Sequence, residues 1–167
     1  MGDTISFMLK SATGQILPAM ASTLIKGRNY AIDRGVEEAV LLSARLYPDM
    51  LPLLNQYQMA AETPARAAAR IAGLEMPSFP DTETTVDELL ERIEKCNQFV
   101  QSIDDEDLNA GERTVMEIPL GQMTVNWEGR QYLSTFVLPN MHFHASIAFA
   151  LLRHQGVEIG KRDFLMA

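Results

Sequence analysis

Apolar residues recur every three or four positions along four long segments of the chain, which is the spacing of one face of an α-helix. The segments cover residues 4–34, 49–72, 86–103 and the stretch from 130 to about 155. The fourth differs from the others because it is apolar on nearly every side. Helices of this kind bury their apolar faces against one another, so the pattern predicts an all-α four-helix bundle.

Residues with strong local preferences mark where these helices begin, end or lose their regularity. Asp49 is the expected N-cap of the second helix, and Gly73 is its expected stop. Thr85, followed by Glu88 three residues later, has the pattern of a capping box before the third helix. Pro139 should break the regularity of the last helix at the turn that carries Asn140, because proline removes one backbone hydrogen bond.

Between the third and fourth helices the pattern changes from helical to alternating. Residues 113–118 and 123–128 alternate apolar and polar side chains, and Gly121 lies between them. This predicts a small β-hairpin packed over one end of the bundle, with Trp127 as an apolar anchor. The acidic run at 104–107 is expected to be a solvated exit from the third helix.

Composition and charge narrow the class of protein. With 167 residues, 47% of them hydrophobic and 22% charged, the chain is expected to form one globular domain over residues 1–167. A net charge of −8 disfavours a nucleic-acid partner, because few cations remain to neutralise phosphates. No uninterrupted apolar run reaches the roughly 18 residues of a membrane helix. We therefore expect a cytoplasmic protein with no membrane partner, and the single cysteine, Cys96, should be buried.

All three histidines lie in the last helical segment. Asn140 and His144 are one turn apart and share a stripe with apolar residues, so an imidazole and an amide meet apolar surroundings here. His142 points about 200° away from His144, and His154 lies roughly 15 Å further along the axis. The three cannot bind one ion from one helix. The alternative to metal binding is that His144 is a hydrogen-bonded core residue and that His142 and His154 are structural or exposed.

Short motifs spread over nearly the whole chain resemble one known family. They are Ala44-Arg45-Leu46, Pro48-Asp49-Met50, Ala67-Ala68-Ala69-Arg70, Phe79 with Asp81-Thr82-Glu83-Thr84, Gly160-Lys161-Arg162-Asp163-Phe164 and the last helix. The chain resembles the bacterial family called domain of unknown function 1993, which is similar to the DinB-like and YfiT-like helical bundles regarded as metalloenzymes. The resemblance implies a DinB-like four-helix bundle with a β-hairpin between its third and fourth long helices.

The resemblance also implies a divalent-metal site, from which this chain departs. In the superfamily, one histidine of the second helix and two histidines four residues apart on the last helix hold the metal. His144 matches the second of that last pair, whereas Asn140 stands in the place of the first. The matching region of the second helix, residues 55–58, contains no histidine, so Gln58 is the candidate there, with Glu62 one turn later as a carboxylate.

Three functions are compatible with this altered metal site, and whether the chain is an enzyme stays open. The first is binding of a small ligand in a pocket formed by Gln58, Glu62, Asn140 and His144, with no tightly bound cofactor. The second is a divalent-metal-dependent hydrolase or thiol transferase in which His144 binds zinc or nickel, although amide oxygens are poor ligands for these ions. The third is a non-catalytic structural protein. We expect a homodimer, because the last helix has more apolar surface than a small bundle requires.

Overall fold

The structure is a computed structural model, which describes residues 4–166. Its elements follow the chain in this order: α1 (Thr4–Asp33), α2 (Glu38–Leu42), α3 (Leu53–Ala72), α4 (Val86–Ser102), α5 (Asp105–Ala110), β1 (Val115–Leu120), β2 (Met123–Glu128), α6 (Gly129–Tyr132), a π-helical turn (Leu133–Val137), α7 (Leu138–His154) and α8 (Lys161–Leu165). Helices α1, α3, α4 and α7 are the four long ones. Helix α3 packs between α4 and α7, and α1 contacts the same two helices. The predicted four-helix bundle is confirmed.

The long helices meet through the apolar faces that the spacing predicts. In α4, for example, Leu89, Ile93 and Val100 are all buried. Burying one such side chain stabilises the fold by about 1.5–3 kcal/mol, so the shared core holds the helices together. Cys96 is buried among them as expected, and burial raises the pKa of its thiol to about 12. The thiol is therefore a core group and not a reactive nucleophile.

Two predicted helix ends are confirmed. The Thr85 side chain accepts a hydrogen bond from the backbone N–H of Glu88, and the Glu88 carboxylate accepts from the backbone N–H of Thr85. This reciprocal pair is the capping box expected at the start of α4. Helix α3 ends at Gly73, whose φ of +67° is a left-handed conformation that glycine adopts without steric cost.

The predicted start of α3 is wrong. The N-cap is Pro52, and Asp49 lies three residues earlier in a turn, without a capping hydrogen bond. The backbone N–H of Leu53 instead donates to the carbonyl of Ala44, at 2.9 Å. A distant backbone carbonyl therefore does what a capping side chain usually does, and Pro52 itself has no N–H to satisfy.

The predicted hairpin is confirmed, with β1 and β2 antiparallel and Ile118 opposite Val125. Ile118 is fully buried, whereas Trp127 is half-buried against the same core. The anchor of the hairpin is thus Ile118 more than Trp127. Two glycines permit its close approach to the bundle: a Cβ on Gly111 would lie 2.1 Å from the carbonyl oxygen of Ile71, and one on Gly129 would lie 2.3 Å from that of Gly111.

The acidic run at 104–107 is exposed, as expected, but it does not simply leave α4. Its last three residues form the first turn of a separate short helix, α5. Negative side chains in a first turn are favourable because they face the positive end of the helix dipole. Asp105 also forms an ion pair with Lys10 of α1.

The last helix is irregular as predicted, but the irregular turn lies before Pro139, and the turn that carries Asn140 is regular α-helix. Within the π-helical turn, the N–H of Leu138 donates to the carbonyl of Leu133, five residues earlier. The wider turn makes room for the Pro139 ring, which would otherwise crowd the preceding turn. Together α6, the π turn and α7 form one helix over Gly129–His154, which is long and apolar enough to cross a membrane by length and composition alone. Its contacts with α1 and α3 make it a core helix of the bundle.

Helix α8 was not expected, and it covers part of the apolar surface of the last helix. Phe164 of α8 packs edge-to-face against Phe149, with ring centroids 5.7 Å apart. An ion pair between Lys26 and Asp163 joins the same helix to α1. Phe143 nevertheless remains 55% exposed. The apolar surplus is smaller than the sequence implies, and the homodimer stays a prediction.

Candidate functional site

Helices α3 and α7 face each other through two polar pairs. The Nδ1 atom of His144 lies 2.7 Å from Oε1 of Gln56, and the Asn140 side-chain amide donates to Oγ1 of Thr63 at 2.9 Å. Residue numbers rise along α3 from Gln56 to Thr63, whereas those of the partners fall along α7 from His144 to Asn140, so the two helices run antiparallel. Because Gln56 Oε1 can only accept, Nδ1 of His144 carries the proton of the neutral ring and Nε2 keeps the lone pair.

A cavity of about 400 Å³ lies beside these two pairs. Its walls come from α3, the loop that follows α3, the hairpin and the last helix. They combine polar and charged groups of α3 with apolar and aromatic side chains: Met59, Glu62, Thr63, Arg66, Arg70, Met76, Pro119, Tyr132, Phe136, Asn140 and His144. We call this space the α3/α7 cavity.

The structure brings three of the four residues predicted for the pocket to this cavity. Asn140, His144 and Glu62 line it, but Gln58 does not. The Gln58 amide donates to Oε2 of Glu83 at 2.8 Å, on another side of α3. Gln56 takes the place opposite His144, because residues two apart on a helix point about 200° from each other.

Sequence reasoning missed Gln56, Thr63, Arg66 and Arg70. The spacing of these residues along α3 is a signal that could have found them. Gln56 and Thr63 are seven residues apart, so they lie on one helix face, as Asn140 and His144 do on the facing helix. Arg66 and Arg70 continue the four-residue spacing from Glu62 through an alanine-rich, buried segment, where a charged side chain is unusual.

Burial sets the protonation of the two titratable rings in the cavity. It lowers the pKa of His144 below the ordinary 6.5, so the imidazole is neutral at pH 7. It raises the pKa of Tyr132, against the opposing effect of the positive charge on Arg70. The Tyr132 ring stacks on Phe136, with centroids 5.9 Å apart and planes 11° from parallel. The cavity thus has a neutral imidazole and an aromatic wall.

The two arginines differ in their ion pairs. Nε of Arg66 lies 3.2 Å from Oε2 of Glu62, an oxygen that also accepts from Nη2 of Arg92 at 2.9 Å. Arg70 has no carboxylate within ion-pair distance in residues 4–166, and its guanidinium carbon lies 5.9 Å from the centroid of the Tyr132 ring. The walls therefore contain two guanidinium groups and a single carboxylate, which is shared with Arg92.

Comparisons with known proteins identify the relatives of this chain. The model of the family described as domain of unknown function 1993 matches residues 9–165. The chain belongs to this family. It is also similar to a DinB family member protein from Shewanella denitrificans, whose crystal structure shares 29% sequence identity with it at a TM-score of 0.88, covering 100% of this chain and 97% of that chain. A search of curated proteins finds no match. The DinB-like fold predicted from the resemblance is confirmed.

The remaining histidines of this family member do not reach the cavity wall. Nδ1 of His142 lies 2.8 Å from the carbonyl oxygen of Leu138, one turn earlier on α7. His154 is exposed at the end of the same helix. His144 itself is half-buried and hydrogen-bonded. Their positions agree with the prediction that the three histidines do not converge on one ion.

The residues present fit the superfamily's divalent metal poorly. His144 supplies one imidazole, Asn140 can offer only an amide oxygen, and the Glu62 carboxylate is already paired with two arginines. Among residues 4–166 there is no group of three His, Cys, Asp or Glu side chains arranged to hold a metal ion. Zinc and nickel sites use several imidazole, thiolate or carboxylate ligands, and two guanidinium groups in the wall would repel a cation.

Proposed function

We propose that this member of the domain of unknown function 1993 family binds a small ligand in the α3/α7 cavity. The main support is that Asn140 and His144 are each held in one orientation by a residue of α3. In residues 4–166, Oδ1 of Asn140 and Nε2 of His144 have no hydrogen-bond partner, so both can accept from a ligand. A few oriented polar groups beside apolar and aromatic walls are typical of ligand pockets.

The two other functions have less support. A divalent-metal-dependent hydrolase or thiol transferase would need a cation beside Arg66 and Arg70, with a single imidazole to hold it. A non-catalytic dimeric structural protein would use exposed apolar surface such as Phe143, but this does not account for the polar pairs at the cavity. We therefore place ligand binding first.

The proposal is tested by screening small organic fragments against the whole chain with ligand-observed NMR, followed by titration of the hits. Asn140→Leu removes the amide oxygen but keeps a similar volume, and we expect it to weaken binding by about tenfold, the usual effect of one lost hydrogen bond in a pocket. His154→Ala is the matched control, because it changes an exposed residue of the same helix. A screen without hits, or hits that bind Asn140→Leu unchanged, would contradict the proposal.

The metal alternative has its own measurement. Protein purified without chelators and without added metal should contain far less than one equivalent of zinc or nickel by elemental analysis. The cause is the donor set, which offers one imidazole and an ion-paired carboxylate. Stoichiometric metal that disappears in His144→Ala would instead place the metal-dependent enzyme first.

A further inference from the structure

We infer that the ligand of the α3/α7 cavity is a small organic anion, and that Arg66 and Arg70 bind its charged group. The anion is a carboxylate or a phosphate monoester attached to an apolar body. The inference rests on the proposed function and adds the class of ligand. Its basis is the position of two guanidinium groups, one helical turn apart, in the wall of a single cavity.

Arg66 has hydrogen-bond donors to spare. Its Nε is buried and has no well-aligned hydrogen bond, although Oε2 of Glu62 lies 3.2 Å away. Its terminal nitrogens have no hydrogen-bond partner within residues 4–166, and the side chain is 43% exposed. A guanidinium carries five N–H donors in a flat fork that matches two oxygens of a carboxylate or phosphate. The free edge of Arg66 is therefore suited to an oxyanion.

Arg70 completes the site because it lacks a counter-ion. It is half-buried beside Tyr132, and no carboxylate of residues 4–166 lies within ion-pair distance. This occurs in a chain with 22 acidic and 14 basic side chains, where partners are plentiful elsewhere. Partial burial of an uncompensated charge costs free energy, and an anionic ligand would offset that cost.

The charge of the cavity wall favours the same class. Two arginines and one glutamate line it, so positive charges exceed negative ones by one, whereas the whole chain has a net charge of −8. His144 is neutral at pH 7 and adds no charge. A wall of this sign attracts an anion and rejects a cation.

The apolar side chains of the cavity wall indicate what the anionic group is attached to. Tyr132 and Phe136 stack on each other, and Met59 and Met76 add flexible apolar surface. An aromatic or similarly apolar body would pack against these side chains while its charged end meets Arg66 and Arg70. Arginine recognises carboxylates and phosphates by the same fork geometry, so binding measurements distinguish the two kinds of ligand.

The test compares three probes with one phenyl body by isothermal titration calorimetry on the full chain at low ionic strength. They are benzoate, phenyl phosphate and the neutral benzamide. We expect at least one anion to bind about tenfold or more tightly than benzamide, since charge-assisted hydrogen bonds are stronger than neutral ones. Tighter binding of benzoate would indicate a carboxylate ligand, and tighter binding of phenyl phosphate would indicate a phosphate monoester. Added salt should weaken binding of the preferred anion.

Arg70→Gln should weaken binding of the preferred anion by about tenfold and leave benzamide binding unchanged. The matched control is Arg34→Gln, because Arg34 also stacks on a tyrosine, 3.6 Å from the Tyr30 ring centroid, but lies outside this cavity. Circular dichroism checks that each variant is folded. The inference fails if benzamide binds as tightly as the anions, or if Arg70→Gln changes nothing. If the inference fails but Asn140→Leu still weakens benzamide binding, the proposed function stands. If no probe binds, the inference fails, and the proposed function fails with it only if the fragment screen also gives no hits.

Discussion

Two groups of charged residues share Glu62 of α3, and their arginines differ in how many terminal N–H groups have partners. The first, which we call the Arg92 cluster, consists of Arg92 with the carboxylates of Glu62, Asp81 and Glu83. Arg92 is 3% exposed, and its two terminal nitrogens donate to those three side chains and to the carbonyls of residues 79 and 80. In the α3/α7 cavity, the terminal nitrogens of Arg66 have no such partner within residues 4–166.

Arg92 is thus a structural charge, whereas the charge of Arg66 is available to a ligand. Arg92 joins its own helix, α4, to two other parts of the chain, because its partners lie in α3 and in the loop between α3 and α4. A smaller cavity of about 280 Å³ lies over this cluster, but its arginine is already engaged by the protein. Glu62 belongs to both groups, since it pairs with Arg92 and with Arg66. Nε lacks a hydrogen-bond partner in both arginines, but the terminal nitrogens of Arg92 are engaged and hold the loop, whereas those of Arg66 stay free at the cavity within residues 4–166.

The largest expected effect follows from breaking the Arg92 cluster. Arg92→Met leaves Glu83 without its cation and Glu62 with Arg66 alone, and losing one partner of a buried pair destabilises a protein by about 3–5 kcal/mol. Urea unfolding measures the change. Lys95→Met on the same helix is the control, because Lys95 pairs with Glu91 at an exposed site, where such pairs contribute about 0–1 kcal/mol. Equal effects of the two substitutions would show that the cluster does not hold the fold.

The pH dependence of stability is a second test of the structural role of the Arg92 cluster. Burial alone would raise the pKa of Glu83, but hydrogen bonds from Arg92 and Gln58 outweigh it and hold the pKa below the ordinary 4.5. A carboxylate with a depressed pKa stabilises the folded state above its unfolded pKa, and this stabilisation is lost as the pH falls through the folded value. The free energy of unfolding should therefore decrease below pH 4.5.

Glu83→Gln should lower the free energy of unfolding at pH 7 and reduce its decrease in acid. The comparison is made by urea unfolding between neutral pH and acid, with Glu91→Gln as the control at an exposed carboxylate. If Glu83→Gln loses stability in acid as steeply as the unmodified chain, then Glu83 does not contribute to that dependence.

The smallest expected effect on stability lies in the cavity. Arg70→Gln removes a half-buried cation that has no carboxylate partner in residues 4–166, so the free energy of unfolding should not fall by more than about 0.5 kcal/mol. Thermal and urea unfolding measure this beside Arg92→Met. A loss comparable to that of Arg92→Met would mean that Arg70 is a structural charge and that the two groups do not differ in kind.

Much of the fold follows from local patterns. The spacing of Leu89, Ile93 and Val100 predicts one buried helix face, and Thr85 with Glu88 predicts where that helix begins. The start of α3 shows the limit of such rules. Asp49 has the right residue type for an N-cap, but the carbonyl of Ala44 satisfies Leu53 from outside the helix. A local preference is overruled when a distant group offers the same hydrogen bond.

The candidate site likewise combines features that local patterns predict with contacts that depend on tertiary packing. The sequence by itself determined that Asn140 and His144 share one face of the last helix, because the period of the α-helix is set within a few residues. Only the tertiary structure decided that Gln56, and not Gln58, lies opposite His144, and that Arg70 reaches Tyr132. These contacts depend on how α3 is rotated and shifted against its neighbours, which is set by the packing of whole helix surfaces and not by the spacing within one helix.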